Sequence, residues 1–259
     1  SFGVVTCAGI ELMTKPERAV TLMARLDDDD RLDDFVAAFV RLRKSGAIRT
    51  VVHIANRNRT LDTLSPLVGR ELVRGGMAGT RLREQVSALL AHEGFGPWSA
   101  VAGVMGSRAE VRAACAEIRD AMRGICRPVF LTDERLQQAK RLLRGLGFLS
   151  GARRKLAVLT AVEPLFGLSR GVPTDEAMHS LYWSIGEEPP EGTYNPDEGP
   201  CGFMYAAPFF PMETKVIVAC TRDIERMARE HGFDLAMTLN AVDERVMEGV
   251  ISISFDRRD

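Results

Sequence analysis

Pro97-Trp-Ser-Ala-Val-Ala-Gly-Val-Met105, followed by Ser107-Arg-Ala-Glu110 and the run on to Met122, decides how this chain folds. The first stretch is a nearly unbroken apolar run of strand length. Ser107 and Glu110 then have the spacing of a capping box, in which the hydroxyl and the carboxylate each satisfy an amide at a helix start. Beyond them Val111, Ala114, Cys115, Ile118 and Met122 recur on one helical stripe. Arg127 to Leu131 reads as a returning strand. The unit is therefore strand, helix, strand.

The same unit repeats on either side. Toward the N-terminus, Arg18 to Leu26 reads as a strand, and Leu32, Phe35, Val36, Phe39 and Val40 form the face of a helix before a strand at Thr50 to Ala55. Residues 2–12 predict one more strand, and 60–93 a helical stretch broken at Gly75-Gly76 and Gly79. Toward the C-terminus helices fill 133–184, with Pro173-Thr-Asp-Glu176 as one start. A proline- and glycine-rich loop spans 185–200. A strand at Gly202 to Phe210, a helix at 213–231 and strands at Phe233 to Ala241 and Arg245 to Phe255 complete the pattern. Three such units with short connections predict an α+β fold: a mostly antiparallel sheet of ferredoxin-like units with helices on one face.

Bulk properties narrow the function. The 259 residues are 46% hydrophobic and 27% charged with a net charge of -1, the mix of a globular protein without a basic field for nucleic acid. No apolar run approaches the roughly 20 residues of a membrane span, and no signal-peptide pattern stands at the start. Cys7, Cys115, Cys126, Cys201 and Cys220 form no C-x-x-C pair, which fits reduced thiols, apolar packing and a cytoplasmic location. The chain opens inside one apolar strand and stops just after another, so the expectation is a piece of a larger protein.

Familiar chemistry motifs are absent. There is no G-x-G-x-x-G after a strand and no phosphate-loop lysine motif, and Gly75-Gly-Met-Ala-Gly79 reads as a helix break. Asp27 to Asp30 precede a helix, where carboxylates complement the dipole, so capping is expected rather than a metal loop. His53, His92, His179 and His231 have no ligand spacing to one another. His231 precedes Gly232 at a helix end, and His179 shares a helix face with Tyr182 and Trp183. Phe203, Tyr205, Phe209 and Phe210 put rings on both faces of one strand behind the 185–200 loop. They either line an aromatic-substrate pocket under a lid or fill core on both sides.

Ser1-Phe-Gly-Val-Val-Thr6 and Ile10-Glu-Leu-Met13 resemble the N-F-G-I-V-T and W-L-M-P stretches of the vanillyl-alcohol oxidase and p-cresol methylhydroxylase family. Gly94-Phe-Gly-Pro-Trp98 with Gly103 and Gly106-Ser-Arg-Ala-Glu-Val111 is similar to that family's G-R-W…G-A-L-Y-G-P junction. Gly171-Val-Pro-Thr174 resembles G-I-P-T, Ala207-Pro208 resembles S-P, and Gly232-Phe-Asp234, Thr238, Arg245 and Phe255 follow a G-L-D…T…R…F order. The resemblance spans nearly the whole chain. It implies that residues 1–15 are the closing strand of a missing FAD-binding domain and that 16–259 are the substrate, or cap, domain of an FAD-dependent oxidoreductase, covering the flavin ring while the missing domain grips the rest of the FAD. The implied reaction is oxidation of para-substituted phenols or aromatic alcohols by hydride transfer to flavin.

By the same resemblance Gly3, Val4, Val5, Phe203 and Tyr205 would meet the cofactor, Tyr205 and Met247 the substrate, and Glu248 and Arg245 the chemistry. The chain departs from the family at two places. Phe203 stands where some relatives attach FAD through a His, so non-covalent FAD is expected; Tyr205 would serve as a tyrosyl attachment only after a register shift. The family's R-E-M-H-H reads Arg245-Val-Met-Glu-Gly249 here, leaving Glu248 either an acid–base group or a solvated edge-strand charge. The phenolate-binding Tyr-Arg pair would lie beyond Asp259. A small aromatic substrate, the missing FAD domain and either a second copy or a cytochrome are the implied partners; no nucleic acid or membrane is. Two other readings stay open: a superfamily member acting on a non-phenolic hydroxy acid, and a ferredoxin-like binding or assembly module without catalysis.

Overall fold

A computed structural model describes residues 7, 9, 15–74, 88, 95–169, 171–174, 180–182, 199–232 and 235–258. In chain order the labelled elements are β1 (Arg18–Leu26), α1 (Leu32–Lys44), β2 (Val52–Asn56), α2 (Arg57–Arg74), β3 (Trp98–Gly106), α3 (Arg108–Ala121) and β4 (Val129–Leu131). They continue with α4 (Asp133–Gly145), α5 (Ser150–Leu168), β5 (Cys201–Ala206), β6 (Phe209–Pro211), α6 (Thr214–Glu230), β7 (Ala236–Ala241) and β8 (Val246–Asp256). The strands form one sheet in the order β4-β1-β3-β2-β7-β8-β5, with β6 also on β8. Every described pairing is antiparallel.

The order follows from the repeated unit. In each of β1–α1–β2, β3–α3–β4 and β6–α6–β7 the helix carries the chain past one strand position, which another strand fills. The first two units interlock, β3 entering between β1 and β2 and β1 between β3 and β4. This is the ferredoxin-like arrangement expected from the sequence. At the start of α3, Ser107 Oγ accepts from the Glu110 amide (3.2 Å) and Glu110 Oε2 from the Ser107 amide (2.8 Å). The acidic run is spent on structure. Asp28 caps the short 3-10 turn Asp29–Arg31, while Asp29 accepts from the Trp98 indole (2.8 Å) and pairs with Arg222.

Strand alternation gives the sheet two unlike faces. On the core face, Leu22, Leu26, Ile54, Trp98 and Leu239 are fully or almost fully buried against Phe35 and Phe39 of α1, Ile118 of α3 and Ile217 of α6. Burying each such side chain contributes about 1.5–3 kcal/mol. The stripe Val111, Cys115, Ile118 and Met122 lies here, with Ala114 partly buried beside it.

The second face is only partly covered. Thr60 of α2 hydrogen-bonds Ser99 (2.9 Å), and Ser169, just past α5, bonds the fully buried Thr21 (2.7 Å). The expectation of helices on one face thus holds for α1, α3 and α6. The inserted α2 and the end of α5 reach the other side, where short hydroxyl side chains let them approach.

The strand expected over 202–210 is divided at Ala207-Pro208. Both pieces pair with β8 in one continuous register, and the Gly249 amide still donates to the Pro208 carbonyl (2.8 Å). Proline lacks the amide that would complete the ladder, which an edge strand tolerates. The glycine-rich break at 75–79, His92, His179, most of the 185–200 loop and most of the 2–12 strand lie outside the described residues.

Candidate functional site

Register places one transverse row of side chains on the second face. Met23 of β1 lies beside Val101 of β3, Val101 beside His53 of β2, and His53 beside Asn240 of β7. Asn240 lies beside Glu248 of β8, and Glu248 beside Phe209 of β6. The row turns from apolar to polar to aromatic across the sheet. Asn240 Nδ2 donates to Glu248 Oε2 (3.1 Å), and Asn240 Oδ1 lies 2.7 Å from His53 Nδ1.

Phe209 closes the polar end of the row, and two more rings lie further along the same face. Phe203 and Tyr205 occupy alternate positions of β5 opposite Ser254 and Ser252, so they share the second face with Glu248 and Phe209. Their rings stack with centroids 6.1 Å apart and planes at 26°. Phe203, Tyr205 and Phe209 are 45%, 68% and 65% exposed, whereas Phe210, on the core face opposite Met247, is 7% exposed. The choice left open in the sequence therefore divides by position. Phe210 is core, and the other three rings stand on the open face.

The expected site residues fall in different places. Phe203, Tyr205 and Glu248 share a face. Met247, expected at a substrate pocket, points the other way and is completely buried in the core, because adjacent strand residues alternate. Arg245 lies in the β7–β8 turn, where its guanidinium pairs with Glu244 (3.9 Å) and its amide donates to Asp243 Oδ1 (2.7 Å). The amides of Arg245 and Val246 hold the Asp243 carboxyl below its ordinary range. Gly3, Val4 and Val5 lie outside the described residues. Asn240 and His53 were not singled out as a pair with Glu248, since nothing local in the chain announces that three strands align them. Their only signal is polarity at outward positions of otherwise apolar strands.

An apolar hollow of about 300 Å³ opens on the core face between α6 and β8, lined by Ile224, Met227, Ala228, His231, Leu235, Ile251 and Ile253. His231 caps α6 and its Nδ1 lies 2.8 Å from the Met227 carbonyl, so it serves the helix end. Among the described residues no cluster of three or more His, Cys, Asp or Glu could hold a metal ion. None of the described helices is long and apolar enough to cross a membrane.

No family model matches the chain. It is 26% identical, over 260 aligned residues, to 1'-carboxy-chondrochloren decarboxylase of Chondromyces crocatus, covering 99% of this chain and 47% of that protein. Its fold matches 4-ethylphenol oxidase from Gulosibacter chungangensis in an isoeugenol complex, with a TM-score of 0.64, 18% identity and coverage of 96% of this chain and 42% of the oxidase. It also matches p-cresol methylhydroxylase with substrate bound, with a TM-score of 0.61, 20% identity and coverage of 95% and 41%. The chain spans less than half the length of each of these proteins. The resemblance drawn from the sequence thus holds at the level of the fold.

Proposed function

We propose that this chain is the substrate-facing domain of an FAD-dependent oxidoreductase that oxidises para-substituted phenols or aromatic alcohols. One observation carries the reading: Phe203, Tyr205, Phe209 and Glu248 share the open face of a sheet whose fold matches segments of 4-ethylphenol oxidase and p-cresol methylhydroxylase. Phe209 beside the Glu248 carboxylate, with the Phe203–Tyr205 stack further along the same face, suits a flat aromatic molecule, which gains from offset or edge-on ring contacts. Bound FAD would supply the hydride acceptor.

The residues present fit a flavin held without a covalent bond. Phe203 has no nucleophilic atom at the position that the resemblance aligns with an attachment histidine. Tyr205, Phe203 and Phe209 would pack against the cofactor ring or the substrate, exclude water and fix the angle between them. Glu248 would hold or move a proton at its carboxylate. Most FAD contacts, and the donors that hold a phenolate, would come from polypeptide outside this chain.

The test is the visible spectrum of the full-length protein. Flavin bands are expected, and acid precipitation is expected to leave the flavin in the supernatant. A colourless protein overturns the reading; a yellow pellet overturns non-covalent binding.

The similarity to a decarboxylase over almost the whole chain favours a second reading, loss of a carboxyl group from an aromatic substrate. Release of carbon dioxide from a carboxylated phenol by the full-length protein, without turnover of 4-ethylphenol, would support it over the first.

A further inference from the structure

The row through Glu248 contains an amide that can face only one way. Asn240 lies between a carboxylate and an imidazole, with Nδ2 3.1 Å from Glu248 Oε2 and Oδ1 2.7 Å from His53 Nδ1. An ionised carboxylate only accepts hydrogen bonds, so the amide NH₂ must face Glu248 and the amide oxygen must face His53. That oxygen also only accepts, so His53 must carry its proton on Nδ1. The reversed amide would set oxygen against carboxylate. Charge alone therefore settles the amide orientation and the histidine tautomer.

Two consequences follow for the open face. Glu248 Oε2 is engaged, and among the described residues no partner holds Oε1. With Nδ1 protonated, a neutral His53 presents Nε2 as an acceptor. Glu248 also sits beside Phe209 in the row, with Phe203 and Tyr205 on the same face.

We infer that Glu248 is the proton acceptor for the substrate at this face, and that Asn240, locked by His53, is the residue that positions it. The assignment rests on the flavoprotein reading above. In oxidation of a para-hydroxybenzyl alcohol, the alcohol O–H bond breaks and its proton passes to Glu248 Oε1. The electron pair released from that bond would form the carbonyl as the benzylic C–H bond breaks, with bound FAD supplying the hydride acceptor. Alcohol, FAD and carboxylate become aldehyde, reduced flavin and carboxylic acid, so atoms and electrons balance. The amide does not relay the proton; it holds one carboxylate oxygen so that the other stays aimed at the reacting group.

The test uses the full-length protein with 4-hydroxybenzyl alcohol as probe, following flavin reduction without oxygen. Glu248→Gln is expected to slow reduction about 100-fold or more at unchanged flavin content, the scale of a lost general base. Asn240→Leu is expected to lower the limiting rate about tenfold with little change in half-saturation, and Asn240→Gln to recover part of the loss. A second readout does not depend on turnover. Nitrogen NMR of His53 is expected to show the Nδ1–H tautomer in wild type and the loss of that preference in Asn240→Leu. Wild-type rates in Glu248→Gln, or an unchanged tautomer and rate in Asn240→Leu, overturn the assignment. A flavin-free wild type, or a bound flavin that the probe does not reduce, instead overturns the functional reading on which it rests.

Discussion

Arg43 shows how much one side chain decides. It stands in the last turn of α1, where a cation is ordinary helix chemistry. In the fold it is 8% exposed and donates to the carbonyls of Ile48 (2.9 Å), Thr50 (3.0 Å) and Val242 (2.7 Å), tying the α1–β2 connection to the β7–β8 turn. Burial pushes its pKa down, while Asp243 and Glu244 oppose that. Arg43→Met should therefore lower stability by about 3 kcal/mol, roughly 1 for each carbonyl left without a donor. Urea unfolding would show it as a lower midpoint at unchanged slope. Arg43→Lys should recover less than half, because a single ammonium cannot span three carbonyls. Two glycines carry a related contrast. A Cβ on Gly202 would lie 2.2 Å from the Phe255 ring, but that ring is 43% exposed and can swing out. A Cβ on Gly249 would meet the Phe210 ring at 3.0 Å, and Phe210 is held in the core. The milder overlap is the costlier one.

Within single elements the sequence was most transparent. The Ser107–Glu110 box, the stripe of α3 and the length of β3 all depend on residues within a few positions of one another. Ser107→Ala should cost about 1 kcal/mol, measured as a loss of thermal stability. The α4–α5 hairpin holds a pair that local pattern does not announce. Lys140, whose side chain is 5% exposed, donates to Glu163, and this contact is the chief cause that holds the Glu163 carboxyl below its ordinary 4.5. A lowered carboxyl pKa stabilises the fold above the ordinary value and loses that contribution as pH falls through the lowered one. Glu163→Gln should thus cost about 1–2 kcal/mol at pH 7, since the amide oxygen still accepts from the ammonium. The gap to wild type should narrow below pH 4.5, which melting curves at pH 7 and pH 3 would reveal. On β6, Phe210→Ala should cost about 3–5 kcal/mol. Its neighbour Phe209→Ala should stay within about 0.5 kcal/mol and instead weaken binding of a phenolic substrate to the full-length protein.

At the scale of the molecule the sheet divides its labour by face: α1, α3 and α6 seal one side, and the rings and the His53–Asn240–Glu248 row occupy the open part of the other. If that face meets the substrate, 4-ethylphenol added to the full-length protein should slow amide exchange around Glu248 and Phe209. The far edge, β4 and β1, should stay unchanged. Alternation of strand and helix, the antiparallel class, the caps and most core positions were legible in the residues alone, because each depends on spacing within a single element. So was the presence of aromatic rings on both sides of the strand behind the loop. Only the tertiary structure decided that Met247 belongs to the core, that Arg245 sits out in a turn, and that His53 and Asn240 complete the row through Glu248. Those facts rest on which strands pair and in what register, and a one-residue slip would send each side chain to the opposite face. Register is fixed by contacts between residues as far apart in the chain as Val52 and Ala241, and so no local pattern can carry it.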